Sequence, residues 1–312
     1  MFHKLKTAGI GLTLFFAISM LNACKGDKKE QGGPLSDPDK LRIMVSVPPL
    51  ANLVSKIGGN HVHVDTLVDK GQDPHTFSPS PAQMKTLGMA NILFTVGMPF
   101  EGPLIDKITD TNAEITVSDA AVGIEKLELE HHHHEEEDEA EGGHDHHDHD
   151  SDPHVWLAPY SIKVQLDNIE KALAEAIPDK AAQFAENLKT AQAELTQAHE
   201  KIKGKLKPFS GKPFFVFHPA FGYFANEYEL EQTAIEIGGN SPTPNELIGF
   251  LAVAKAAKIQ IIFIQPQFDP RSAEVIAKEL GAKVAILDPL APDVIANLHA
   301  ITDAIVEGFS GS

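Results

Sequence analysis

The chain has 312 residues, 42% of them hydrophobic, enough for two domains or one large one with a real core. Asp plus Glu outnumber Lys plus Arg by 44 to 26, and the formal charge of -18 excludes nucleic-acid binding through phosphates and suits cations instead. The single cysteine, Cys24, excludes intramolecular disulfides and any cysteine-built zinc or iron–sulfur centre.

In chain order, Lys4 and Lys6 precede an apolar run from Ala8 to Leu21. That run is short for a membrane span and reads as a signal peptide over residues 1–23. Leu21-Asn22-Ala23-Cys24 resembles the lipobox of bacterial lipoproteins. The resemblance implies cleavage before Cys24, lipidation of its thiol, and a folded part held outside the cytoplasm, in the periplasm or at the cell surface. Residues 24–40 mix Gly, Pro, Ser and charge without apolar periodicity, as a flexible tether does.

Short apolar strands then alternate with helices. Strands are expected at Leu41–Val47, Val62–Leu67, Ile92–Val96 and Ile115–Val117, with helices at Leu50–Ile57, Pro81–Met89 and Pro103–Ile108. This pattern predicts an α/β lobe with parallel strands over residues 41–158. Within it, residues 131–150 hold eight histidines (His131, His132, His133, His134, His144, His146, His147 and His149), nine acids and no Lys or Arg. Such a segment buries no core and repels itself, so residues 128–150 are expected to be a disordered loop. Its histidines are expected to form weak accessory metal sites.

Helices follow over residues 159–210. Pro159–Ile177 is one. From Pro178, the residues Phe184, Leu188, Ala191, Leu195, Ala198, Ile202 and Leu206 fall at steps of three and four on one stripe. A second α/β lobe spans 211–312, with strands at Pro213–Phe217, Thr233–Ile237, Ile261–Ile264 and Lys283–Leu287. Its helices are expected at Asn245–Ala257, Ser272–Leu280 and Asp293–Phe309. The expected fold is two α/β lobes joined by one long helix.

Ligands of open parallel sheets bind beyond the carboxyl ends of strands. Four polar residues follow strands or sit in exit loops beside a stiffening proline: His75 in Asp73-Pro74-His75, His154 in Asp152-Pro153-His154, His218 before Pro219, and Asp288 before Pro289. Three imidazoles and one carboxylate fill a tetrahedral zinc shell with no open position. By ligand type alone the same set accepts cobalt, nickel or copper.

Six stretches carry a resemblance: Asp73 to Pro81, Val96 to Glu101, Asp152 to Leu157, Phe217 to Phe224, Ile237-Gly238-Gly239, and Leu287 to Leu290. As a set, and in this order, they resemble the metal-binding cluster A-I solute-binding proteins of bacterial ABC transporters, zinc-binding branch. The resemblance implies two four-stranded parallel sheets with surrounding helices, a long connecting helix, and a metal in the cleft held by His75, His154, His218 and Asp288. It implies a non-catalytic monomer that captures Zn2+ as cargo for an ABC permease. His218, where manganese-binding members commonly carry Glu, and the His-rich insertion both favour zinc. Manganese or another divalent ion is the alternative within that class, and a surface adhesin the alternative outside it. A zinc hydrolase is disfavoured by the full shell and the lack of a His-Glu-x-x-His motif. Gln265 departs from the Glu that many relatives carry there.

Overall fold

The aliphatic run Leu41–Val45 forms strand β1, and its inward residues Ile43, Met44 and Val45 are buried. The computed structural model describes Met1 and residues 40–110, 114–128, 151–236 and 243–310. The signal peptide, Cys24, the tether up to residue 39 and all eight loop histidines lie outside the described residues. Residues 37–312 form one compact unit.

The first half runs β1, α1 (Pro48–Gly58), β2 (Val62–Thr66), α2 (Pro81–Leu87), β3 (Ile92–Thr95), α3 (Glu101–Thr109) and β4 (Thr116–Asp119). Two helices follow, α4 (Pro159–Ala176) and α5 (Ala181–Leu206). The second half runs β5 (Pro213–Val216), α6 (Gly222–Glu227), β6 (Glu231–Ala234), α7 (Pro244–Ala256), β7 (Ile261–Ile264), α8 (Pro270–Leu280), β8 (Lys283–Ile286) and α9 (Val294–Ser310).

Each half builds a four-stranded parallel sheet, in orders β2-β1-β3-β4 and β6-β5-β7-β8. The register matches: Ile43 of β1 faces Ile92 of β3, and Phe215 of β5 faces Ile262 of β7. Both orders reverse direction beside the first strand. That leaves a crevice at the carboxyl ends, where side chains from successive loops converge.

The two sheets share one apolar cluster. It passes from Ile43 and Phe94 through Leu166, Phe184 and Leu195 to Phe214, Phe263 and Ile305. Helix α5 carries it, packing on α1 and α4 on one side and on α9 on the other. At 1.5 Å per residue its 26 residues span about 39 Å. The expected rod from Pro178 begins three residues later, because Ile177 takes φ -131° ahead of the proline and Pro178–Lys180 forms a separate 3-10 turn.

Two further elements differ from expectation. Strand β6 covers Glu231–Ala234 rather than Thr233–Ile237, because Gly211 and Lys212 bond Glu229 and Glu231 and fix the pairing early. Helix α6 has no counterpart in the sequence reading. It is six residues long and has no side-chain cap, so nothing local announces it.

Candidate metal centre

Four Asp-Pro-Xaa segments occur among the described residues, and all fold alike. The Asp side chain accepts the backbone N–H two residues on: Asp73 from His75 at 2.9 Å, Asp152 from His154 at 2.8 Å, Asp269 from Arg271 at 3.0 Å and Asp288 from Leu290 at 3.0 Å. This Asx turn, with the proline fixing its middle, aims the third residue. In two of the four that residue is a histidine.

His75 stands in the loop after β2. His154 precedes a short 3-10 turn at Val155–Leu157, and His218 lies two residues beyond β5. Their ligand-capable nitrogens lie within 4.8 Å of one another, the one such group among the described residues. Nε2 of His154 is 3.2 Å from Nε2 of His75 and 3.3 Å from Nε2 of His218. His154 and His218 are 2% and 3% exposed. His75, more open, forms the outer wall. Three imidazole nitrogens gathered this closely suit a cation that prefers imidazole.

Two carboxylates fix the rings from behind. Nδ1 of His154 is 2.7 Å from Asp152 Oδ1, and Nδ1 of His218 is 2.6 Å from Glu236 Oε2. A carboxylate on Nδ1 holds the proton there, leaves Nε2 with a free lone pair and raises its basicity. The backbone N–H of His218 also donates to Gln265 Oε1 at 3.0 Å. Trp156 lies edge-on to His154 at 5.5 Å, and Phe268 stacks on His218 at 5.1 Å. These rings exclude water from the inner imidazoles.

Burial, reinforced by the neighbouring imidazoles, pushes His75 down to about 3 despite Asp73. Burial also drives His154 well below its ordinary value. Both rings are therefore neutral at pH 7 and already in the ligating form. Burial pushes the Asp152 carboxyl up to about 7, against the lowering effect of the His154 backbone N–H.

Asp288 stands apart from this group. Its Oδ1 accepts Leu290 N and Gln267 Nε2, each at 3.0 Å, and its carbonyl accepts Asn297 Nδ2 at 2.8 Å. Gln267, Phe268, Pro289 and Leu290 line the cavity at the three imidazoles, together with Asp73 and Pro74. Glu101 is also elsewhere: its buried carboxylate caps the end of β3, accepting Val96 N and Gly97 N. Tyr223 is a strut, donating to Asp152 O at 3.0 Å and accepting Leu127 N at 3.1 Å. The sequence reading did not include Glu236, Gln267 and Phe268 among its candidates. Each acts through a tertiary neighbour, though all three lie at strand exits of the second sheet.

The family of the periplasmic component A of zinc-uptake complexes, ZnuA, matches residues 43–308. The chain belongs to this family. The high-affinity zinc uptake system protein ZnuA of Bacillus subtilis is 29% identical over 286 residues, 90% of this chain and 88% of that one. A crystal structure of a ZnuA superposes with a TM-score of 0.78 at 37% identity, covering 86% of this chain and 99% of the other. A ZnuA deletion mutant with zinc bound matches with the same TM-score and identity, covering 86% and 98%. The family carries the two-sheet fold with its long connecting helix, and it is a family of binding components for transport, not of enzymes.

Proposed function

We propose that this protein captures Zn2+ outside the cytoplasm and delivers it to an ABC permease, with no catalysis. The observation that carries the reading is the buried meeting of His75, His154 and His218. The ZnuA family and the zinc-bound relative support zinc as the cargo.

His75 and His154 come from the first half of the chain and His218 from the second. Zinc bridging them ties the halves together, and release requires that bridge to be broken. The His75 and His154 rings are neutral before zinc arrives, so their ligation displaces few protons near pH 7. The apolar cluster running through α5 resists hinge bending, so closure around the ion is small.

The finer parts of the reading rest on sequence. Cleavage after residue 23 and lipidation of Cys24 anchor the chain to a membrane, residues 24–40 act as a tether, and the protein works as a monomer. Among the described residues, no helix is long and apolar enough to cross a membrane. The lobes are taken as residues 41–158 and 211–312 with the connecting helices at 159–210. The histidines at 131–134, 144, 146, 147 and 149 supply weaker sites that raise the local zinc concentration.

The test is zinc titration of His75→Ala, His154→Ala and His218→Ala against a competing chelator. Each substitution is expected to weaken tight binding at least tenfold. Unchanged affinity in all three rejects the reading.

A further inference from the structure

We infer that Gln267 sets the fourth coordination position of this site, holding the Asp288 carboxylate off the three imidazoles and offering its own amide oxygen in its place. The inference rests on the three-imidazole reading above.

Three observations carry it. Gln267 lines the cavity at His75, His154 and His218, whereas Asp288 does not. Gln267 Nε2 donates to Asp288 Oδ1 at 3.0 Å, so the amide orientation follows from its partner: the opposite flip would set two oxygens against each other. Gln267 Oε1 is then left buried with no hydrogen-bond partner. A buried amide oxygen without a donor is costly, and a cation or its bound water relieves it. Asp288 is meanwhile engaged twice at Oδ1, by Gln267 and by its own Asx turn to Leu290.

The consequence is selectivity. Three neutral imidazoles and a neutral oxygen leave the bound ion's double charge uncompensated by any direct ligand. That suits zinc, which accepts nitrogen, and disfavours manganese, which prefers carboxylate oxygen. Freed from Gln267, Asp288 becomes available as a carboxylate ligand, and the preference for zinc narrows.

A double-substitution cycle tests this. Gln267→Met, nearly isosteric, Asp288→Asn and the pair are titrated with zinc and with manganese, and the cobalt-loaded forms are compared by visible absorption. Gln267→Ala serves as a second variant in case Met packs poorly. Asp288→Asn alone is expected to change zinc affinity less than about threefold. Removing Gln267 is expected to strengthen manganese binding about tenfold and to alter the cobalt spectrum, with both effects reversed by adding Asp288→Asn. A tenfold or greater loss of zinc affinity in Asp288→Asn alone overturns the inference, since Asp288 would then already be a ligand. So does a manganese affinity and cobalt spectrum indifferent to Gln267. If His154→Ala abolishes tight zinc while the cycle shows no coupling, only the Gln267 assignment fails. If His154→Ala leaves zinc binding intact, both readings fail.

Discussion

Asp152 holds His154 at two points with one oxygen: Oδ1 accepts the histidine's backbone N–H at 2.8 Å and stands 2.7 Å from its Nδ1. A single carboxylate thus fixes both the position of the residue and the tautomer of its ring. Asp152→Ala is expected to weaken zinc binding by about 10- to 100-fold, and Asp152→Asn less, because the amide oxygen still accepts. Chelator competition measures both. Equal, wild-type affinity in the two variants would count against a positioning role.

Gly222 makes room for that carboxylate. A Cβ built on it would lie 2.7 Å from Asp152 Oδ2, closer than any real contact. Gly222→Ala is therefore expected to displace Asp152, destabilise the fold by about 1–3 kcal/mol and weaken zinc binding in the same direction as Asp152→Ala. Chemical denaturation and zinc titration of the one variant check both halves. Wild-type zinc affinity would separate Gly222 from the site.

Glu101 gives a pH signature away from the metal. Burial pushes its carboxyl up to about 7 against the backbone N–H groups of Val96 and Gly97, from an ordinary value near 4.5. Between those values the folded chain holds a proton that the unfolded chain releases. Its contribution to stability is complete below about 4.5 and is lost as pH rises through about 7. The stability advantage of wild type over Glu101→Gln should therefore shrink from pH 5 to pH 8, as read by denaturation of the metal-free proteins. An advantage that grows over that range contradicts the assignment.

Acid should also distinguish the two classes of histidine. Solvated imidazoles protonate near 6.5, whereas burial holds His75 neutral down to about 3. Deleting residues 130–150 is expected to leave one tight zinc per chain. In the intact protein, lowering the pH from 7.5 to 5.5 should strip the zinc held by that segment before the zinc held by His75, His154 and His218. Metal counting by native mass spectrometry at both pH values checks this. Loss of the tight zinc on deletion would move the main site into the loop.

The alternation of aliphatic strands and helices made both sheets and their parallel pairing readable, because the central strands β1, β3, β5 and β7 are apolar runs buried on both faces. The three histidines were readable as well: they sit at strand exits or in Asp-Pro turns, and such positions face the crevice of a parallel sheet. Asp288 sits in the same kind of Asp-Pro-Xaa turn, and its Oδ1 accepts Leu290 N and Gln267 Nε2, a partner that no local pattern announces. Glu236 lies 18 residues from the His218 ring it orients, and Gln267 lies 21 from Asp288. No local pattern links such pairs, because sheet order alone brings them together. The start of α5 and the limits of β6 depended on a proline's effect on Ile177 and on a loop bond at Gly211, both finer than hydrophobic periodicity resolves.

The central claim is that zinc rests on three imidazoles drawn from three separate loops. X-ray absorption at the zinc edge, on the protein lacking residues 130–150 and loaded with one equivalent, tests it most directly. The account predicts three imidazole ligands at about 2.0–2.1 Å with one oxygen completing the shell. A shell of oxygen with at most one imidazole would contradict it.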